Sequence, residues 1–143
     1  MNGNIFRNVP KINQKTGMKA METKKVVKGM VTAVVFKLPV RIEGEVGTRI
    51  RKELAHFVEA GERFFVYDLS NVHYIDSAGL GAMVSKIATI RSNGGDIVII
   101  HPTDFIRELL QVTNLDQVFK ECDNLDCAFD YFRKKQDAVS HAS

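Results

Sequence analysis

The sequence predicts an α/β fold, a small mixed β-sheet of about four to five strands packed with about four helices. Three observations predict it. Short runs rich in β-branched and aromatic residues alternate with amphipathic segments whose apolar positions recur at helical spacing. Gly or Pro punctuates most of the junctions between them. A strand, helix, strand order runs from residue 63 to residue 100, which favours a right-handed parallel crossover.

Each element follows from its own pattern. Glu22 to Val27 and Val31 to Phe36 read as two strands joined tightly through Lys28-Gly29-Met30, and Pro39 ends the second or marks an edge. From Glu43 to Ala60, Val46, Ile50, Leu54, Phe57 and Val58 share one helical face, and Gly61 stops the helix. Arg63 to Leu69 holds the nearly unbroken Phe64-Phe65-Val66-Tyr67, the pattern of a central strand covered on both faces. Ser70 to Asp76 reads as a loop. A second helix runs from Ser77 to Asn93-Gly94-Gly95 with Leu80, Met83, Val84, Ile87 and Ile90 on one side. Asp96 to Ile100 is a further strand, and Thr103 caps a third helix with Phe105, Ile106, Leu109 and Leu110 inward. A last helix from about Asn124 buries Leu125, Ala128, Phe129 and Phe132 before a polar stretch from Lys134.

Composition narrows the function classes. With 143 residues, 45% hydrophobic and 26% charged, the chain suits one domain. We expect a flexible basic leader over 1–21, a folded domain over 22–136 and a polar tail over 137–143. No apolar run is long enough to span a bilayer, and the leader lacks the apolar stretch of a secretory signal, so stable membrane insertion is not expected and a cytoplasmic location is. The net charge of +3 is uneven: residues 1 to 28 hold seven Lys or Arg against Glu22 alone, which leaves the rest mildly acidic. A body of that charge offers no footprint for direct nucleic-acid binding. Cys122 and Cys127 stand without a second pair, and His56, His73, His101 and His141 are scattered, so neither a metal nor a cofactor is expected.

The most informative stretch is Tyr74-Ile75-Asp76-Ser77-Ala78-Gly79-Leu80-Gly81, which seats a serine where a strand and loop give way to a helix. Helix entrances leave backbone N–H groups without intrahelical partners, so an anion added at Ser77 would meet the favourable end of the helix. A nucleophile elbow requires glycine two positions before the serine, where this chain has Ile75. A phosphate-binding P-loop needs a wider glycine spacing and a following Lys-Ser/Thr pair, both missing after Gly81. The plainest alternative makes Ser77 a helix cap and the glycines a means of close packing. Asp76 is read both as a loop acceptor and as a recognition residue, and Ser70 and Asn71 as either a rim of the same surface or solvated loop.

Four features together resemble the STAS family, and within it the stand-alone bacterial anti-anti-sigma factors. They are the strand ending Val66-Tyr67-Asp68-Leu69-Ser70, the stretch Ile75 to Gly81, the Asn93-Gly94-Gly95 stop before Asp96 to Ile100, and the closing Leu109-Leu110 to Val118-Phe119 with its Ala128-Phe129 helix. The resemblance covers roughly residues 24 to 135. It implies a regulatory binding domain, not an enzyme, whose unmodified form binds an anti-sigma factor and frees a sigma factor. It further implies that Ser77 is phosphorylated by that anti-sigma factor, acting as a serine kinase, and restored by a PP2C-type phosphatase. The implied partner surface comprises Asp76, Ser77, Ala78, Gly79 and Leu80, with Ser70 and Asn71. The alternative within the same family is a non-switched subunit, a structural partner in a signalling complex or lipid-transport assembly. Two departures bear on the partner: Lys37-Leu38-Pro39-Val40-Arg41-Ile42 replaces the Gly-x-Leu-Asp-like turn that family members usually carry, and Ala78 replaces a second serine.

Overall fold

The computed structural model describes residues 21–142. The expected leader thus lies outside the described residues except for Met21, which is buried in the core and opens the domain instead of closing the leader. Strands β1 (Glu22–Lys28) and β2 (Val31–Lys37) form the predicted hairpin, turning at Gly29 with φ +62°. A two-residue strand β3 (Arg41–Ile42) precedes helix α1 (Glu45–Glu59) and central strand β4 (Phe64–Asp68). Then come β5 (Tyr74–Ile75), α2 (Ser77–Val84), α3 (Ile87–Ser92), β6 (Asp96–Ile100) and α4 (Asp104–Val112). A 3-10 turn at Leu115–Gln117, strand β7 (Lys120–Cys122) and helix α5 (Leu125–Ala142) complete the described chain.

The main sheet has the order β1-β2-β4-β6-β7, antiparallel between β1 and β2 and parallel elsewhere. Alternation along the strands supplies two cores. Val34, Phe36, Phe65, Tyr67, Ile97 and Ile99 face the layer of α1 to α4, while Ala33, Val35, Phe64, Val66, Val98 and Ile100 face α5 through Ala128, Phe129 and Phe132. Burial on both sides is why Phe64 to Tyr67 lacks a polar face. The Tyr67 hydroxyl, wholly buried, donates to the Met83 carbonyl at 2.8 Å, and burial pushes its pKa far above the usual phenol value. That bond ties the end of α2 to the central strand.

Four sequence expectations change. The second helix is interrupted at Ser85-Lys86, where the Ser85 hydroxyl and amide both turn back to the Ala82 carbonyl at 2.7 and 3.2 Å and end the α-helical ladder. The loop from Ser70 to Asp76 contains β5, and β7 extends the sheet edge. Both are too short to carry a readable alternation. Phe105 is 59% exposed, because the buried face of α4 is set by Ile106 and Leu110. The stretch from Lys134 is helical as far as Ala142 instead of a tail from its start.

Candidate functional site

The site is built on a small second sheet. Strands β3 and β5 pair in parallel, Arg41 opposite Tyr74 and Ile42 opposite Ile75, and the next ladder bond runs from the Asp76 amide to the Ile42 carbonyl at 3.1 Å. Both strands lead straight into helices, so the first turns of α1 and α2 lie side by side. Gly79 lets α2 sit directly on β3 and β5, while Gly47 faces α2 at ordinary contact distance. A Cβ at Gly79 would sit 2.6 Å from the Ile42 carbonyl oxygen, and one at Gly47 would lie 3.7 Å from the Ala78 carbonyl oxygen. Ile42 and Ile75 point into the core beneath, and Leu80, half-buried, packs on the same core.

Asp76, not Ser77, caps α2. Its Oδ1 accepts from the Gly79 amide at 2.7 Å and its backbone carbonyl accepts from Leu80 at 3.0 Å. The capping alternative for Ser77 is thereby corrected, and the Gly79 amide is occupied. Ser77 stands at the first helical position and is exposed together with Ala78. Among the described residues no group bonds the Ser77 hydroxyl. A carboxylate acceptor one residue away thus frees the serine from structural duty.

The rim of the site carries charge. Arg41 donates through Nε and Nη2 to Glu43 at 2.6 and 3.3 Å, with its guanidinium 4.2 Å from the centre of the Tyr74 ring. This pairing holds Arg41 above, and Glu43 below, their ordinary pKa values. Val40 and Tyr74 are exposed beside it. The divergent segment from Lys37 to Ile42 therefore supplies β3 and the flank of the serine. Arg41 and Tyr74 were not singled out from sequence, because an exposed pair on two-residue strands leaves no periodic trace.

Ser70 and Asn71 occupy a different turn. Ser70 is fixed by its amide to Asp68 Oδ1 at 3.0 Å, and the neighbouring Leu69 amide bonds the Ile100 carbonyl at 3.0 Å, at the mouth of β4 and β6. Both residues are exposed, and no described hydrogen bond joins them to residues 76–80. The five consecutive residues Asp76 to Leu80 form one constellation where β5 passes into α2. His56, His73 and His101 are exposed, and among the described residues none bonds Ser77.

The chain is similar to known proteins over most of its length. The STAS domain family matches residues 18–128. A Thermotoga maritima protein assigned provisionally as an anti-sigma factor antagonist is 33% identical over 79 residues, 55% of this chain and 70% of that one. The anti-sigma-B factor antagonist of Staphylococcus aureus is 30% identical over 80 residues, 53% of this chain and 74% of that one. Among solved structures, the anti-sigma factor antagonist SpoIIAA in its unphosphorylated form aligns with a TM-score of 0.66 at 15% identity, over 78% of this chain and 96% of its own. Its phosphorylated form, described as a Bacillus cell fate determinant, aligns with a TM-score of 0.56 at 13% identity, over 85% and 99%. At those identities the structural likeness is one of fold.

Proposed function

The chain belongs to the STAS domain family, and on that premise we propose that it is an anti-sigma factor antagonist gated by phosphorylation of Ser77. The unmodified form binds an anti-sigma factor that is also a serine kinase, releasing a sigma factor, and a PP2C-type phosphatase resets the serine. The relatives' names support the antagonist role. The observation that carries the gate is the exposed, unbonded Ser77 hydroxyl beside an Asp76 that already caps the helix. A kinase can reach that oxygen without opening the core, and the fold loses no bond when it is modified.

The switch is local. A phosphate adds about −1.5 to −2 charges beside Asp76, on a surface that a partner would cover. Docking would then bury an anion next to a carboxylate, while the free domain accommodates it at the helix entrance in contact with water. Asp76, Ala78 and Leu80 belong to this surface by continuity, with Arg41 and Tyr74 at its edge. Gly79, occupied by the cap and sealed against Ile42, shapes it.

Calorimetry against the anti-sigma factor tests the reading. Ser77→Ala keeps wild-type affinity and takes up no phosphate when incubated with the kinase and ATP, as read by mass spectrometry. Ser77→Asp and the phosphorylated protein bind at least about tenfold more weakly, about 1.4 kcal/mol. Equal affinity for all forms would replace the gate with the non-switched structural subunit.

A further inference from the structure

Seven arginines lie among the described residues, and six are committed. Arg41 bonds Glu43, Arg49 bonds Glu53, Arg63 bonds Gln136, Arg91 bonds Asp96, Arg107 bonds Asp104 and Glu121, and Arg133 bonds Asp130. Arg51, on α1, has no hydrogen bond or ion pair among the described residues. Its place is nonetheless definite. The Nη2 atom lies 3.2 Å from where a Cβ of Gly81 would stand, so the absent side chain at 81 leaves the trough in which the guanidinium rests. Residues 77 and 81 are one turn apart on α2 and share a face, about 5 to 6 Å between Cβ positions. Side chains at the later position lean back over the earlier one. The guanidinium therefore lies beside Gly81, one turn from Ser77 on the same face of α2.

We propose that Arg51 is the chain's own receptor for a phosphate on Ser77. The inference rests on the reading of Ser77 as the modified residue and adds how the modified state is held. In the unmodified protein Arg51 is an uncommitted cation on the face that the partner covers. Once Ser77 carries a dianion, the guanidinium can donate two N–H groups to phosphate oxygens. Phosphorylation then acts twice, adding negative charge at Ser77 and withdrawing a positive one from the docking face. It also links α1 to α2 across the seam where Gly47 meets Ala78 and Gly79, with no change of fold.

The charges around such a phosphate are Asp76 on its own segment, Arg41 from β3, Glu43 from the link after it, and Glu45 and Arg51 from α1. Arg41 is already engaged by Glu43, so Arg51 is the cation free to respond. The test is the second ionisation of the phosphate, followed by phosphorus NMR across pH in protein with phosphoserine genetically encoded at position 77. In the otherwise wild-type chain this pKa falls at least about half a pH unit below its ordinary value of about 6. Arg51→Gln returns it to about 6, and Arg51→Lys recovers part of the depression. Arg41→Gln leaves the wild-type titration in place. Identical titrations for wild type and Arg51→Gln would overturn the assignment, as would a change produced by Arg41→Gln alone. The titration involves neither kinase nor partner. A phosphate that Arg51 holds but the partner ignores refutes the gate and not this contact.

Discussion

Two aspartates, Asp76 and Asp96, divide the molecule into a region left available and a region closed on itself. Asp96 opens β6 and is 3% exposed. Its Oδ1 accepts from the Ile97 amide at 2.8 Å and from Arg91 Nε at 2.9 Å, and its Oδ2 accepts from the Tyr131 hydroxyl at 2.6 Å. It thus fastens α3 and α5 to the sheet, with Arg91 also reaching the Val118 carbonyl. Asp76 makes one side-chain bond, to the Gly79 amide. Around Asp96 every strong donor is engaged within the fold, whereas beside Asp76 the Ser77 hydroxyl, and one turn further along α2 the Arg51 guanidinium at Gly81, are engaged by nothing described. Buried polar groups must find partners inside the protein, and a surface that binds and releases another protein must keep some groups uncommitted.

The contrast can be broken most forcefully at Asp96. Asp96→Ala leaves the Tyr131 hydroxyl and Arg91 without their acceptor and should cost about 3 kcal/mol in urea denaturation, the half-exposed arginine limiting the loss. Partner affinity per folded molecule should not change. Asp76→Ala is milder and falls on the other quantity. Loss of one helix cap costs about 1 kcal/mol of stability, while partner binding drops because the first turn that presents Ser77 loosens. A stability loss at Asp76 equal to that at Asp96 would erase the distinction.

The smallest effect appears only in alkali. Burial, followed by the hydrogen bond to Asp96, pushes the Tyr131 phenol up to about 12. A folded-state pKa above the unfolded value of about 10 means that the stabilisation is complete below pH 10 and is lost as pH rises through about 12. Tyr131→Phe should flatten that decline in denaturation curves between pH 10 and 12, and an unchanged slope would remove Tyr131 from the closed region.

Much of the fold was legible because burial imposes a period. Phe64 to Tyr67 shows its two covered faces in the residues alone, β-branched residues mark Val31 to Phe36 as a strand, and Ile50 and Leu54 mark the inner side of α1. The serine was legible because its neighbours are small and its place between an apolar strand and an amphipathic helix is local. The cap assignment was not: Asp76 and Ser77 are both competent caps, and which one turns inward depends on where Ile42 holds the Asp76 amide. Phe105 misled because apolar character alone does not tell which side of a nine-residue helix meets the sheet.

By itself the order of residues determined the longer strands, the amphipathic segments, the double covering of the central strand and the candidate serine, since each is written in contacts between near neighbours or in a repeated spacing. Only the tertiary structure decided that Gly79 seats α2 on β3 and β5, that Glu43 engages Arg41, and that Arg51 comes to rest on Gly81. Residues 51 and 81 lie far apart along the chain on polar surfaces with no periodic pattern. Their meeting follows from how the crossover returns α1 and α2 to the same side of the sheet, a geometry that the packed core sets and no local run of residues encodes.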